Sequence, residues 1–503
     1  MSRSEEETKE LIKKGEAYLE SKDYEEAKKS FEKATTLDDK DARAWIGLGR
    51  AYVKLKNYEE AKKCFKKALE LDENNVKAWR SLGLAQRNLK EYNDAIKSYK
   101  KAIEIDTEDV DTWIGLGSVH FDLKDYKNAK ECLERVIELD TENINAWFNL
   151  GASHSNLKNY EEAEKCFEKV TELEPKDLDG WLSLGYTYLR MDRPAEARKS
   201  FMISTVLDTK STDAWLGAGK AQLTLKRYNE AVESFKKLTE LNEKNVDAWI
   251  GLGFSHAISG APKEAKECFE KVIKLDEKNV VAWRNLGLAQ SDLEEYEDAI
   301  ESYKKTLELD KENVAAWIGL GRTYLNLEDY KEAKECFGKA TYLDENNAVA
   351  WDRLGASYVK MKSYEKAKRC FEKIVNLEPK EEGAFASLIE LLIIKGNYGE
   401  AFEKARTNVD SVKSDKYRFM SLFFAAVSTA LQNKQEEFME WMDKLLQHIQ
   451  KAEKPYGVTW DFSDISPTLE QHLKKEDMTL ISLLIDVLKE EKDLEELEKE
   501  LKI

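Results

Sequence analysis

Residues Arg43–Val76 read RAWIGLGRAYVKLKNYEEAKKCFKKALELDENNV, and the same pattern returns every 34 residues. Tryptophans mark the period. After Trp45, the same step reaches nine further tryptophans without an insertion or deletion, at Trp79, Trp113, Trp147, Trp181, Trp215, Trp249, Trp283, Trp317 and Trp351. A fixed period of this length is typical of a solenoid of stacked repeats rather than of a globular enzyme core.

Each repeat contains two apolar patterns with helical spacing. The repeat at Arg43 shows them at Trp45, Leu48, Gly49 and Tyr52, then at Ala61, Phe65 and Ala68. Between them, Asn57 with Glu60 three residues later is close to a capping box, and Asn75 is a second cap before the next repeat. We therefore expect a helix, a tight turn, a second helix and a short loop, with Gly49 and Ala61 allowing close packing.

The W, L-G, Y, A, F and A positions of this repeat resemble those of the tetratricopeptide repeat (TPR) family, and the match runs from about Leu11 to Ala405. The resemblance implies an all-α fold: a right-handed superhelical solenoid of about twelve 34-residue helix-turn-helix repeats with a helical C-terminal cap. We accordingly expect a lead-in at 1–10, a repeat array at 11–406 with atypical first and last repeats, and a helical cap or small helical domain at 407–503. The proline that the family carries between repeats is present only as Pro175 and Pro379.

Composition restricts the classes of partner. The 503 residues carry a net charge of −18, so we expect no nucleic-acid partner. No apolar stretch is long enough for direct membrane insertion, and the polar, acidic start lacks a signal peptide. The six cysteines occupy one position of six repeats and form no C-x-x-C motif, which favours buried, reduced thiols. Together these features predict a cytoplasmic protein.

No catalytic, cofactor-binding or metal-binding motif is evident in the chain. Three of the five histidines, His120, His154 and His256, replace the tyrosine of the first helix and are interpreted as packing residues. The carboxylates alternate with lysines, as on solvated helix faces. We therefore predict no catalytic residue, no cofactor and no metal, and a protein that is not an enzyme.

A second, longer period in the sequence suggests that a block of six repeats was duplicated. Cys64, Cys132 and Cys166 recur 204 residues later as Cys268, Cys336 and Cys370. Similarly, the segment WRSLGLAQ at Trp79 recurs as WRNLGLAQ at Trp283. The duplication either presents related surfaces twice, giving bivalent binding, or has no consequence for binding.

In the TPR family, the first helix of each repeat lines a concave groove that binds partners. The resemblance implies that the matching positions here contact a partner protein or peptide; they are Ile46, Arg50, Arg80, Leu84, Arg87, Ile114, Phe121, Phe148, Asn149, Tyr186, Leu189, Lys220, Leu223, Phe254, Arg284, Leu288, Arg322 and Arg353. Apolar side chains dominate the middle of this set and arginines flank it, which suits a partner with carboxylates.

Two specialised binding modes of the family are not supported by the sequence. The lysine, asparagine and arginine positions of the carboxylate clamp are not found in phase, and the asparagine ladder of the glycosyltransferase repeats is reduced to Asn149 and Asn285. Glycines occupy the ladder position in several other repeats, at Gly47, Gly115, Gly217, Gly251 and Gly319. They either leave room for a partner or permit close packing.

These observations favour a non-enzymatic scaffold that binds a peptide or helical segment of another protein in the groove. The alternative is a structural protein that self-associates through its C-terminal helices or terminal repeats. Trp441, Trp460 and the apolar segment Met478–Leu488 motivate that alternative.

Overall fold

The computed structural model describes residues 3–378, 382–412, 414–451 and 465–488, and every regular element in this part of the chain is an α-helix. Contacts divide the chain into two compact units, Met1–Ser255 and His256–Ile503. The amino-terminal unit contains α1 (Arg3–Glu20), α2 (Tyr24–Leu37), α3 (Ala42–Lys54), α4 (Tyr58–Leu71), α5 (Val76–Asn88), α6 (Tyr92–Ile105), α7 (Val110–Asp122), α8 (Tyr126–Leu139), α9 (Ile144–Asn156), α10 (Tyr160–Leu173), α11 (Leu178–Arg190), α12 (Pro194–Leu207), α13 (Thr212–Thr224), α14 (Tyr228–Leu241) and most of α15 (Val246–Ile258).

The carboxy-terminal unit continues the same alternation of a 13-residue and a 14-residue helix and then adds four further helices. Its helices are α16 (Pro262–Leu275), α17 (Val280–Asp292), α18 (Tyr296–Leu309), α19 (Val314–Asn326), α20 (Tyr330–Leu343), α21 (Ala348–Lys360), α22 (Tyr364–Leu377), α23 (Glu382–Ile394), α24 (Tyr398–Ser411), α25 (Asp415–Leu431), α26 (Gln435–Lys451), α27 (Ser466–His472) and α28 (Lys475–Leu488). The all-α class and the repeated helix pairs are thus confirmed.

The amino terminus differs from the expected lead-in. Helix α1 begins at Arg3, so residues 3–10 form its first turns. Within these turns Thr8 is buried. Toward the other end of the chain, Pro379 and Trp460 lie outside the described residues.

The turn within each pair is closed by backbone hydrogen bonds. After α3, Lys56 adopts a left-handed φ of 62°, its N–H donates to Val53 O at 3.0 Å, and Asn57 N–H donates to Tyr52 O at 2.9 Å. This is the Schellman arrangement, with lysine at the position where glycine is usual. The expected side-chain cap at Asn57 does not form. At the matching position of other repeats, Asp23, Asp125 and Asp329 do accept a hydrogen bond from the backbone.

The loops between pairs are held by two side chains. The side-chain oxygen of Asn75 accepts a hydrogen bond from Ala78 N–H at 3.1 Å, as expected of a cap. In addition, Trp79 Nε1–H donates to the carbonyl of Glu73, six residues earlier, at 2.8 Å. All ten tryptophans of the 34-residue series make this contact at 2.8–3.0 Å. The tryptophans therefore fix the loops as well as fill the space between helices.

An aromatic ring on the second helix of most pairs explains the glycines that face it. The ring of Phe31 lies between Gly15 of its own repeat and Gly47 of the next, so close that a Cβ on either glycine would lie under 3.0 Å from it. The other ladder-position glycines, Gly115, Gly217, Gly251 and Gly319, also face the ring of the preceding repeat. These glycines permit close packing of the ring against the helix backbone, and whether they also leave room for a partner stays a prediction.

The last helices share one core. Buried Ile389 of α23, Ala401 of α24, Phe423 of α25, Leu445 of α26 and Leu484 of α28 belong to a single apolar cluster. Helix α27 contributes Leu469 to the same cluster. The atypical last repeat, α23 and α24, and the helices after it therefore pack continuously across the expected boundary at 406/407.

Among the described residues, no helix combines the length and the apolar character needed to cross a membrane.

Candidate partner-binding face

The first helices of successive pairs lie against one another within each unit. In the amino-terminal unit, α3 contacts α5 and α5 contacts α7; in the carboxy-terminal unit, α17 contacts α19 and α19 contacts α21. We call the surface formed by these first helices the A-helix face. The predicted partner-binding residues lie on these helices, because the 34-residue period returns each position to the same side of successive first helices.

The predicted aromatic contacts already take part in packing within the chain. Phe121 stacks edge-on against Tyr126 at 5.3 Å between ring centroids, and Phe148 does so against Phe167 at 5.7 Å. Both rings are half-buried. Their role in the fold limits what their substitution can report about binding.

Among the predicted aromatic contacts, Tyr186 has the largest solvent-exposed fraction. Its ring packs edge-on against Phe201 at 4.9 Å, yet 38% of the residue is exposed. It lines a cavity of about 510 Å³ between α9 and α11, together with Arg190 and Asn156. Burial raises the pKa of Tyr186, so its hydroxyl is a neutral hydrogen-bond donor at neutral pH.

The aliphatic and polar members of the set differ in exposure. Leu84 and Leu288 are each 38% exposed, and Lys220 is exposed. The half-buried members are Ile46, Ile114, Leu189, Leu223 and Phe254. The amide of Asn149 is engaged locally, because Nδ2 donates to the carbonyl of Asn145 at 2.8 Å.

The amino-terminal arginines are neutralised by the protein's own carboxylates. Arg50 binds Glu16 of the preceding repeat at 2.9 Å. Arg80 reaches Asp109 and Asp111 of the following repeat, each at 2.8 Å.

The third arginine of this group, Arg87, forms a two-pronged contact with Asp122 at 2.6 and 3.2 Å. This hydrogen bond raises the pKa of the Arg87 guanidinium. Sequence analysis missed these pairs, although the acidic residues 29–35 positions away were a signal for them.

Two carboxy-terminal arginines differ. Arg284 of α17 and Arg322 of α19 line a cavity of about 260 Å³, and neither forms an ion pair with any residue in the described part of the chain. Arg353 is farther along this unit, with Nε 3.8 Å from Asp352. The structure therefore separates arginines that the sequence had grouped together.

The histidines and cysteines do not form a reactive site. His120 Nδ1 lies 3.1 Å from Asp125, while His154 is buried and its pKa is lowered by that burial. All six cysteines are buried free thiols, and burial raises the pKa of each to about 12. No group of metal-ligating side chains is found among the described residues.

Family models match most of the repeat array. A tetratricopeptide repeat model matches residues 18–86, the TPR domain of cytochrome c-type biogenesis protein H matches 72–177, and subunit 3 of the anaphase-promoting complex, or cyclosome, matches 156–238. The C-terminal domain model of cilia and flagella-associated protein 70 matches 243–440. No curated protein matches the chain.

Solved structures with similarity include MamA, with 26% identity, a TM-score of 0.32, and coverage of 32% of this chain and 95% of that chain. The TPR protein YrrB, described as having an unusual peptide-binding site, has 22% identity, a TM-score of 0.35, and coverage of 37% and 96%. The Cut9–Hcn1 hetero-tetramer of the anaphase-promoting complex has 16% identity, a TM-score of 0.40, and coverage of 85% and 96%.

Three observations agree with one another. The helix pairs recur every 34 residues, a ring packs against glycine in most of them, and successive repeat models match the chain. The chain belongs to the tetratricopeptide repeat proteins.

Proposed function

We propose that this protein is a non-enzymatic scaffold that binds a peptide or helical segment of a partner protein on the A-helix face. Tetratricopeptide repeats in general form scaffolds for protein–protein interaction. The observation that supports this face is the exposure of apolar side chains on it: Tyr186 and Leu288 lie beside cavities, and Leu84 is as exposed as Leu288. An apolar anchor beside a cavity is the usual centre of a binding surface.

The experiment compares two charge-inserting double variants, each with one substitution per unit. The test variant is Leu84→Glu with Leu288→Glu, both on first helices. The control is Val206→Glu with Tyr342→Glu, which lie on the second helices α12 and α20 and are 78% and 80% exposed. Circular dichroism checks that both fold like the parent chain.

Each protein is used to capture partners from native lysate, and the captured proteins are identified by mass spectrometry and rebound in purified form. We expect the test variant to weaken binding of the partner by about 30-fold or more, since loss of a central anchor costs about 2 kcal/mol. The control should bind like the parent. Equal binding by both variants would exclude the A-helix face as the site.

A catalytic role is not proposed. The family is typically non-catalytic, and the thiols and histidines described above are buried in the repeat cores rather than gathered in a cleft. Cytoplasmic location remains a prediction from sequence.

Two of the features that motivated the self-association alternative, Trp441 and the apolar helix α28, pack within the chain. Trp441 is 9% exposed and packs edge-on against Phe402. Ile481 and Leu484 of α28 are buried in the same cluster. We therefore propose that the C-terminal helices act as a cap on the last repeats, and sedimentation of the intact chain tests this: a concentration-dependent dimer would count against it.

A further inference from the structure

The two copies of the six-repeat block have diverged in charge on the A-helix face. A shift of 204 residues relates Arg80 to Arg284 and Leu84 to Leu288, so the first helices α5 and α17 are equivalent. The same shift relates α7 to α19. These equivalent helix pairs provide an internal comparison, because their bounds correspond and most of their apolar residues are the same.

In the first copy, the arginines are satisfied within the chain. Asp109 and Asp111 bind Arg80, and Asp122 binds Arg87. Counting these five side chains, three carboxylates face two guanidinium groups, so the surface between α5 and α7 has an excess of one negative charge.

In the second copy, all three carboxylates are absent. Asn313, Ala315 and Asn326 occupy the positions of the three aspartates, while Ser291 occupies the position of Arg87. A new arginine, Arg322, stands where the first copy has Ser118. The substitutions remove the internal partners of the conserved arginine and add a second guanidinium nearby.

The resulting cavity is lined by Arg284, Leu288, Asp292, Ile318 and Arg322, with a volume of about 260 Å³. Two guanidinium groups and one carboxylate leave one positive charge among these residues. Neither arginine has a carboxylate partner among the described residues, and Asp292 makes no ion pair there either. A single monoanionic group would therefore complete the charge balance.

The hydrogen-bonding groups around the arginines restrict what binds them. The Asn285 amide already donates to Val281 O at 2.6 Å, and Ser291 is bonded to Thr323 at 2.8 Å. Burial raises the pKa of Tyr303 to about 12, and the nearby Arg322 and Arg284 act against that rise. The two guanidinium groups are thus the charged donors that face a ligand, beside the amide of Asn326.

We propose that the cavity between α17 and α19 binds one acidic side chain, Asp or Glu, of the partner segment, and that the equivalent surface between α5 and α7 does not. This proposal rests on the proposed function. It implies that, of the two equivalent surfaces in the duplicated array, only one binds an acidic side chain. Carboxylate accepts hydrogen bonds from guanidinium in two-pronged geometry. A dianionic phosphate is less suited, because Asp292 repels the second charge. The neighbouring α21 continues the face, so a passing segment supplies a side chain rather than a terminus.

The test uses two peptides with blocked termini and an uncharged dye, Ser-Leu-Leu-Glu-Leu-Leu-Ser and the same peptide with Gln in place of Glu. A third peptide is the Gln peptide with a free C-terminal carboxylate. Leucines match the apolar lining by Leu288 and Ile318. Fluorescence anisotropy at constant low salt measures both affinities for the intact chain. We expect the Glu peptide to bind about 10- to 100-fold more tightly, with one site per chain, because charge-assisted hydrogen bonds are the strong ones.

Three variants test whether the preference for the Glu peptide arises from the cavity between α17 and α19. Arg284→Gln with Arg322→Gln should abolish it. Ala315→Asp restores the carboxylate that pairs with arginine in the first copy, so this variant should also abolish the preference for the Glu peptide. The side chain at position 315 is exposed, so aspartate should be tolerated there. The matched control, Asp111→Ala in the first copy, should leave the preference unchanged.

Equal binding of the Glu and Gln peptides would overturn the proposal while leaving the scaffold function intact. An unchanged preference in Ala315→Asp, or an equal loss in Asp111→Ala, would also overturn it. So would tight binding of a Gln peptide with a free C-terminal carboxylate, which would place a terminus in the cavity. No binding of the Glu peptide up to about 1 mM would overturn it as well, and the capture experiment would then judge the scaffold function separately.

Discussion

One glycine position gives opposite predictions in two repeats. Alanine at Gly49 would place a Cβ 2.5 Å from the ring of Phe65, which is fully buried. Alanine at the equivalent Gly117 would meet Cys132 at 3.3 Å and Leu133 at 3.4 Å, because leucine replaces the ring in that repeat. The first substitution forces the packing apart, whereas the second needs a shift of only a few tenths of an ångström.

The magnitudes follow from two opposing effects. Overpacking a well-filled core costs about 1–3 kcal/mol, and the short distance to a buried ring puts Gly49→Ala at about 3 kcal/mol. Replacing glycine within a helix by alanine returns about 1 kcal/mol. We therefore expect Gly49→Ala to lower the local free energy of unfolding by about 2 kcal/mol, and Gly117→Ala to leave it unchanged or raise it by up to about 1 kcal/mol.

The assay must report locally, since repeats of a solenoid need not unfold together. Hydrogen exchange of the amides in α3 and α4 reports on Gly49→Ala, and exchange in α7 and α8 reports on Gly117→Ala. Urea unfolding followed by tryptophan fluorescence gives the global result. Phe65→Leu provides the control background, because it copies the leucine of the tolerant repeat.

In the Phe65→Leu background, Gly49→Ala should lose most of its cost and approach the behaviour of Gly117→Ala. The reasoning would be refuted if Gly49→Ala and Gly117→Ala changed stability by the same amount, or if Phe65→Leu did not relieve the cost. Either result would mean that helix propensity, and not contact with the ring, determines the change in stability when the glycine is replaced by alanine.

Three further predictions concern single sites. The lowered pKa of His154 means that the unfolded chain takes up a proton first as pH falls below 6.5, so acid lowers stability there. His154→Tyr should remove this contribution to the slope and add about 1 kcal/mol through a hydrogen bond to Glu134, like the one that Tyr52 donates to Glu32 at the equivalent positions. Urea unfolding between pH 5 and 8 measures both effects, and an unchanged slope would contradict the assignment. Lys56→Gly should raise stability by about 1 kcal/mol because Lys56 holds φ 62°. The control Lys66→Gly, at an exposed position in the interior of α4, should lower stability by a similar amount; equal effects in thermal unfolding would count against the Schellman turn. Because burial raises the pKa of the Cys64 thiol to about 12, iodoacetamide at pH 8 should label it only in urea, and rapid native labelling seen by peptide mass spectrometry would contradict its burial.

Much of the repeat was predictable because its determinants are local and periodic. The positions of Trp45, Gly49 and Phe65 indicate where the helices lie, and the same pattern recurs every 34 residues along the array. The caps were less certain. Asn75 caps its helix as expected, whereas Asn57 lies after a turn that backbone hydrogen bonds already close.

The candidate site was predictable only as a list of positions on first helices. The list could not separate Arg80, which is held by Asp109 and Asp111, from Arg284, which lacks such partners among the described residues. Whether an arginine is available depends on the next repeat, and the sequence pattern does not show which side chains of adjacent repeats come within hydrogen-bond distance.

The sequence by itself therefore determined the fold class, the helix pairs and the family, since apolar periodicity and glycine spacing act over a few helical turns. Only the tertiary structure decided which function each repeated residue serves. It placed the ring of Phe31 against Gly47, joined α23 and α24 to the C-terminal helices in one core, and paired the amino-terminal arginines within the chain. These outcomes depend on contacts between residues in different repeats, where distance and burial determine the energy of each pair.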